Sequence, residues 1–459
     1  KVVALLGLTI PGQYYLVTLG YSLVFSLAAL GLFARNVAKS TLAGIVGITA
    51  LLFSRAYIDF SVSGLENPLS HLLLLGFFAL YFRRAKTTNR RIFWLTLIAS
   101  LGVLNRQDTL LLYLPSLIYV LIKVGLSKKS VFNLFLGGLP IILWELYSII
   151  YYGFPFPNTY YAKLHTGINP TDLVQQGVYY FIESLRNDPG TLSVIGFVAL
   201  LAMIQGIWRK HWPLLVGISL YLLYILRIGG DFMSGRFFAA PLLLSVILLS
   251  RLESKSNSSW GQYALLFVIL GSITPNPTIL SGLSYGEDQE INSWIDDHGI
   301  ANERAIYYRE TGWLAGNREK IEFEIDWIIN EGKFTNGILL LEPREISTAG
   351  WNGYLFGPQS YYLIDKSGLL NPFISRLPIE NLNQWRIGHF HHIVPDGYEE
   401  TIANGVNKIA DPNLAAYYAV IQEITRGEIW TTSRFVEIWK INTGQYNYLI
   451  AAYNMNHAE

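Results

Sequence analysis

The sequence predicts a mainly α polytopic membrane bundle of about ten transmembrane helices, followed by a C-terminal α/β extracytoplasmic domain, and three observations predict it. Ten apolar runs recur through residues 1–285. Lys and Arg fall in every second connection between those runs. The charge balance then reverses: residues 1–285 hold 21 Lys and Arg against 9 Asp and Glu, and residues 286–459 hold 13 against 24. The boundary between a membrane domain, 1–285, and a second domain, 286–459, follows from that reversal. With 51% hydrophobic residues, 15% charged residues and a mean hydropathy of +0.32, the chain is too apolar for an ordinary soluble protein. The absence of cysteine excludes disulfides, thiolate metal sites and a Cys nucleophile. The chain opens at Lys1 inside an apolar stretch without the pattern of a signal peptide, and reads as lacking its natural N-terminus.

The apolar runs lie near 13–33, 41–53, 71–82, 92–104, 109–122, 131–151, 191–208, 213–226, 237–250 and 261–275. Arg35 and Lys39, Arg83 to Arg91, Lys123 to Lys129, Arg209 with Lys210, and Arg251 with Lys255 mark alternate connections as cytoplasmic. The connections at 54–70, 105–108, 152–190 and 227–236, and everything after about residue 276, are then extracytoplasmic. Four unusual polar stretches thereby emerge on one face: SRAYIDFSVSGLENP (54–68), NRQD (105–108), YYGFPFPNTYYAKLH (151–165) and GGDFMSGRFF (229–238). They combine acids, cations, aromatics and helix breakers, unlike plain connectors.

The last stretch places Asp231 and Arg236 five residues apart, with Gly229, Gly230 and Gly235 supplying backbone freedom where a span should end. The NRQD hairpin is short. From Ile92 to Ile122 there is roughly 46 Å of helix at about 1.5 Å per residue, against roughly 60 Å for two crossings of a core about 30 Å thick. Arg106 and Asp108 are therefore expected at membrane depth, paired or lining a wet cavity. In the loop 152–190, Pro155 and Pro157 forbid a regular helix, and residues 170–186 are expected to form an amphipathic helix lying on the membrane interface, with Leu173, Val178, Phe181, Ile182 and Leu185 as its apolar stripe.

Beyond residue 286, the segments 305–308, 336–342 and 360–366 read as strands, and 290–298, 414–424 and 433–441 as helices. His389, His391 and His392 have no Cys or carboxylate at ligand spacing and read as structural or surface histidines, so no metal and no other cofactor is assigned. The chain carries no phosphate-binding Gly loop, no GxSxG elbow and no basic surface of the nucleic-acid-binding kind.

Taken as an ordered set, SGLENPL, NRQD, YYGFPFPNTYYAK, GGDFMSGRFF and WRIGHFHHIVPDGY resemble the GT-C integral-membrane glycosyltransferases, in particular the branch similar to the actinobacterial terminal arabinofuranosyltransferase, from about Ala56 to Tyr446. The resemblance implies transfer of a sugar from a polyprenyl-phosphate carrier to a cell-envelope glycan or glycolipid acceptor, outside the bacterial inner membrane. In that chemistry a carboxylate takes the acceptor proton and cations offset charge on the departing phosphate. Glu66, Asp108 and Asp231 are then the catalytic candidates, and Asp59, Arg106, Asn158, Lys163 and Arg236 the substrate-binding candidates. The sequence departs from the family in one respect. No acidic pair follows the first span, so Asp59 and Glu66 are the substitutes to test, and an N-terminally shortened chain would lack the family's principal general base. The competing classes are a transporter or lipid flippase, which predicts several mid-span polar residues where this chain has Glu145, and a non-catalytic scaffold binding envelope glycans.

Overall fold

The computed structural model describes residues 14–83, 88–164, 166–252, 257–275, 277–282, 285, 294–312, 343–346 and 362–456. Each of the ten apolar runs folds as a helix: α1 (Tyr14–Leu32), α2 (Thr41–Leu52), α3 (Asn67–Tyr81), α4 (Asn89–Asn105), α5 (Leu110–Val124), α6 (Lys128–Tyr152), then α9 (Pro189–Ile204), α10 (Trp208–Arg227), α11 (Ala239–Leu249) and α12 (Asn257–Ser272). Two further helices, α7 (Asn158–Leu164) and α8 (Pro170–Asn187), occupy the long loop after α6. Fewer of these helices than expected have the length of a span. Among the described residues three are long and apolar enough to cross a membrane, Val17–Val37, Gln107–Val124 and Lys128–Tyr152, or four if α8 and α9, bent by 103°, count as one broken span. The reason is helix length. With 12, 15 and 11 residues, α2, α3 and α11 supply about 16–23 Å of rise against a core of about 30 Å.

The chain divides into two compact units, Lys1–Ile142 with Leu173–Phe323 and Leu143–Asp172 with Glu324–Glu459. The division runs through α6 and the loop after it, and does not follow the change of composition at residues 285 and 286. In the first unit α11 is apolar on every side and every one of its residues is buried; a helix without a polar face has to lie inside a bundle. It packs against α2, α3, α9 and α10, while α1 lies on α3 and α5 on α10. The outer surfaces of α1 and α9 expose Leu23, Val24, Leu27, Leu200, Met203 and Ile204, as a lipid-facing surface would.

The amphipathic helix expected at 170–186 forms as α8, with most of its apolar stripe outward and Phe181 packed on Phe238. Its polar face is the buried one, carrying Gln176, Gly177, Tyr180, Glu183 and Ser184, whereas Val174, Val178, Ile182 and Leu185 are exposed. A Cβ at Gly177 would stand 2.2 Å from the Leu226 carbonyl oxygen, so only glycine lets α8 seat this closely on the end of α10.

After α12, two expectations from sequence are corrected. The residues at 305–308 are helical, not extended: α13 (Glu303–Thr311) starts at Asn302, whose side chain accepts from the Ala305 N–H, with Glu303 in the first turn. In the described part of 290–298, Trp294 lies in a 3₁₀ turn, Ile295 bridges Ala301, and from Asp296 the chain turns, because Asp296 Oδ1 accepts the N–H groups of both His298 and Ile300 and Gly299 takes φ +74°. The expected strand at 336–342 lies outside the described residues.

The described residues of the second unit are mainly helical rather than α/β. The one sheet among the described residues is a parallel pair, β1 (Pro343–Ile346) with β2 (Tyr362–Asp365), the second lying where a strand was expected. Four helices follow, α14 (Tyr398–Asn404), α15 (Pro412–Arg426), α16 (Thr432–Asn442) and α17 (Asn447–Asn456), and Phe373, Tyr398, Leu414, Ile421, Ile424 and Ile438 form the core with Phe154 from the loop after α6. The prolines at 155 and 157 keep residues 153–157 out of helix, and α7 begins at Asn158. The Arg376 guanidinium lies 3.9 Å from both the Phe154 and the Tyr161 ring centres. His392 is fully buried with its ring between the carbonyls of Leu377 (2.7 Å) and Ala162 (3.2 Å), a structural role.

Arg434, 1% exposed, binds four main-chain carbonyls: Nε donates to Ile424, Nη1 to Ile150 and Ile429, and Nη2 to Tyr151. Two of these belong to the last turn of α6, whose carbonyls have no partner within the helix. Arg434→Lys keeps the charge but loses the fork, and is expected to lower stability by about 1–3 kcal/mol as buried carbonyls go unpaired; an unchanged melting temperature in detergent would contradict this. Burial, with Arg386 nearby, pushes the His389 imidazole down to about 4, and burial also holds His392 below the ordinary range. The unfolded chain therefore binds more protons than the folded one between the ordinary histidine range near 6.5 and about 4, so folding stability should fall as pH drops through that window. Replacing both histidines with Gln should flatten that part of a melting-temperature-against-pH curve.

Candidate functional site

Three helix-terminal connections of the first unit meet at one carboxylate. Glu66 precedes α3 at its N-terminus, with Pro68 in the first turn, a place where the helix dipole favours a negative charge. Arg106 closes α4 at its C-terminus, where a cation is favoured. Arg236 lies in the 3₁₀ turn Arg236–Phe238 that leads into the buried helix α11. A cation at a helix N-terminus is disfavoured by the same dipole, so Arg236 depends on acids around it.

Those acids are present. Glu66 Oε1 accepts from Arg106 Nη1 at 2.8 Å and from Arg236 Nη2 at 2.8 Å, and Glu66 Oε2 accepts from Arg236 Nη2 at 3.0 Å. Arg106 Nε donates to both Asp108 oxygens at 2.8 and 2.9 Å, and Arg236 Nη1 to Asp231 Oδ2 at 3.2 Å. The result is a chain of alternating charge, Asp108–Arg106–Glu66–Arg236–Asp231. Burial opposes ionisation of Glu66, but the two guanidiniums more than offset it and hold this carboxyl below the usual carboxylate range.

Neutral groups fix the ends. Tyr221 of α10 donates to Asp108 Oδ2 at 2.9 Å. Asp231 Oδ1 accepts the Phe232 N–H. The Arg106 guanidinium stands 4.2 Å from the Phe237 ring centre, a cation–π contact. Asn105 donates to the Glu66 carbonyl at 2.9 Å and to Ser70 Oγ at 2.8 Å, joining the end of α4 to the start of α3. Glu66, Arg106 and Arg236 keep side-chain exposures of 20, 14 and 18%, while those of Asp108 and Asp231 are 8 and 6%. Accessible chemistry belongs to the first three.

The loop 229–238 is held from α8 and from the segment around residue 301. Tyr180 Oη donates to the Met233 carbonyl at 2.9 Å and accepts the Phe237 N–H at 3.3 Å. Ala301 pairs with the loop through the Phe232 carbonyl and the Ser234 N–H. Ser234 Oγ donates to Glu183 Oε1 at 2.7 Å, and Oε2 of that carboxyl is buried with no hydrogen-bond partner among the described residues.

The structure thus brings Glu66, Arg106, Asp108, Asp231 and Arg236 together. Asp59 belongs to a different group: its carboxylate meets Arg55 at 3.7 Å, Arg304 at 3.5 Å and Thr278 Oγ1 at 2.6 Å. Asn158 and Lys163 lie on α7, in the second unit. Sequence reading missed Tyr221, Tyr180, Asn105 and Glu183. The first two are aromatics inside helical runs and carry no local signal; Glu183 had one, as an acid in the middle of an amphipathic helix. It also missed Asp188, which is buried at the α8–α9 bend and accepts from Ala56 N at 2.9 Å and from Thr191 Oγ1 at 2.5 Å.

Comparison with protein-family models, with curated proteins and with solved structures gives no match. The fold and site define a mainly helical protein with helices of membrane-spanning length and a partly buried five-membered ionic chain at three helix ends.

Gly230 tests how tightly the loop is held. It takes φ +76°, and a Cβ there would lie 2.4 Å from the Tyr180 ring. Gly230→Ala should cost at least ~1–3 kcal/mol from backbone strain alone, seen as a lowered melting temperature. A variant that melts like the parent would show that the loop does not depend on this contact.

Proposed function

We propose that the protein is a GT-C-type glycosyltransferase, moving a sugar from a polyprenyl-phosphate carrier to an envelope glycan or glycolipid acceptor on the outer side of the bacterial inner membrane. The observation that carries this reading is the convergence of Arg106 and Arg236 on Glu66. Two guanidiniums aimed at one small anion also suit a phosphate, which offers several oxygens to the same donors. As it stands, two arginines face three carboxylates, a formal charge of 2 − 3 = −1, so a carrier phosphate enters by taking the place of Glu66.

That exchange gives each residue its work. The phosphate seats between Arg106 and Arg236, which Asp108 and Asp231 keep oriented. Glu66, no longer held by two cations, regains basicity and takes the proton of the acceptor hydroxyl as that oxygen bonds to the anomeric carbon. The bond from the anomeric carbon to the carrier phosphate oxygen breaks, and the arginines stabilise the charge left there. The exposed Val174, Val178, Ile182 and Leu185 of α8 offer the prenyl chain an apolar surface on the helix whose other face holds the 229–238 loop through Tyr180.

Glu66→Gln separates this reading from one in which the ionic chain only holds the fold. The expected outcome is turnover of a polyprenyl-phosphate-linked sugar reduced ~10²-fold or more, the scale of a lost general base, while the carrier phosphate binds more tightly because its competing carboxylate is gone. Arg236→Ala and Arg106→Ala should weaken carrier binding. Turnover unchanged in all three, or carrier binding weakened in Glu66→Gln as well, would remove the proposal.

A further inference from the structure

We propose that α16 lies in the bilayer interface, with Phe435, Val436 and Trp439, together with Trp430 just before it, dipped among the lipid headgroups. α16 wears its amphipathicity inside out: Arg434 and Ile438 are buried, whereas Phe435, Val436 and Trp439 are 36, 42 and 67% exposed and Trp430 is 78% exposed. Positions 435, 436 and 439 are one helical face. Two Trp and a Phe open to water over so short a stretch would be costly in an aqueous domain.

What decides the occupant is where α16 is attached. Arg434 donates to the carbonyls of Ile150 and Tyr151, and Asn442 Nδ2 to that of Gly153, at 2.7, 3.0 and 2.8 Å. These are the last residues of α6 and the one that follows it, and α6 is among the helices with the length and composition of a span. Its final turns expose Tyr147, Tyr151 and Tyr152, and Tyr and Trp gather where a span meets the headgroups. Hydrogen bonds between the two elements hold α16 at that depth, where an amphipathic helix buries its apolar face about 5–10 Å into the boundary. The second unit is then anchored to the membrane by α16 as well as by the chain itself.

This inference rests on the reading of α6 as a span, and the experiment keeps the two apart. The chain has no cysteine, so single nitroxide labels at Phe435→Cys, Trp439→Cys, Leu146→Cys and Glu400→Cys report local solvent in the full-length protein reconstituted into phosphatidylcholine–phosphatidylglycerol vesicles. The readout is collision with oxygen, which concentrates in lipid, against collision with a water-soluble nickel chelate. Labels at 435 and 439 should lose nickel accessibility relative to 400 and show a shallower depth than 146. Nickel accessibility at 435 and 439 equal to that at 400, with 146 shielded, overturns the inference and leaves the span intact; a water-like label at 146 overturns both. Water-like labels at 435 and 439 that become immobile on adding envelope glycan would assign the face to carbohydrate, which also overturns it.

Discussion

One carboxylate shared by two arginines organises the first unit. Glu66 opens α3, Arg106 closes α4, and Arg236 stands at the entrance to α11, the helix with no exposed side. Each charge lies at a helix end, where backbone groups lack intrahelical partners. Glu66 and Arg106 sit at the ends their charges favour. Arg236 sits at the end its charge disfavours, and is held there by Glu66 and Asp231. Removing Glu66 would leave two mostly buried guanidiniums close together, each with one acid, and pairs broken in this way are costly.

The same arrangement explains why the surroundings are so constrained. The loop that carries Asp231 and Arg236 has to turn back within a few residues, and does so through left-handed glycines with the Tyr180 ring pressed against one of them. Tyr180 in turn requires α8 to lie with its polar face inward, and Gly177 allows it to come that close. The apolar face of α8 is left outward as a consequence.

How much of this was legible in the sequence depended on whether the signal was local. Each apolar run became a helix, because hydropathy over a dozen residues is a property of the segment itself. Span length was not legible to the same degree, since α2, α3 and α11 stop where caps and packing end them. The pairings Arg106 with Asp108 and Arg236 with Asp231 are between close neighbours and could be read directly. The joining of the two through Glu66 spans 40 and 170 residues, and came within reach only because charge in alternate loops put those stretches on one face. The segment 305–308 misled for the opposite reason: its aromatics suggested a strand, but the Asn302 cap and the acid after it decide the local structure. The stripe of α8 was read as apolar and interfacial, and Val178, Ile182 and Leu185 do lie outward; what was not legible was Phe181 packing on Phe238 and the burial of Tyr180 and Glu183, which is set by the loop they hold.

The central claim is that Glu66 is energetically shared, and a double-mutant cycle between Glu66→Ala and Arg236→Ala, read as unfolding free energy in detergent, tests it most directly. The account predicts non-additivity of about 1–3 kcal/mol, as for groups in one hydrogen-bonded ionic network. Additivity to within about 0.5 kcal/mol, the behaviour of independent sites, would contradict it.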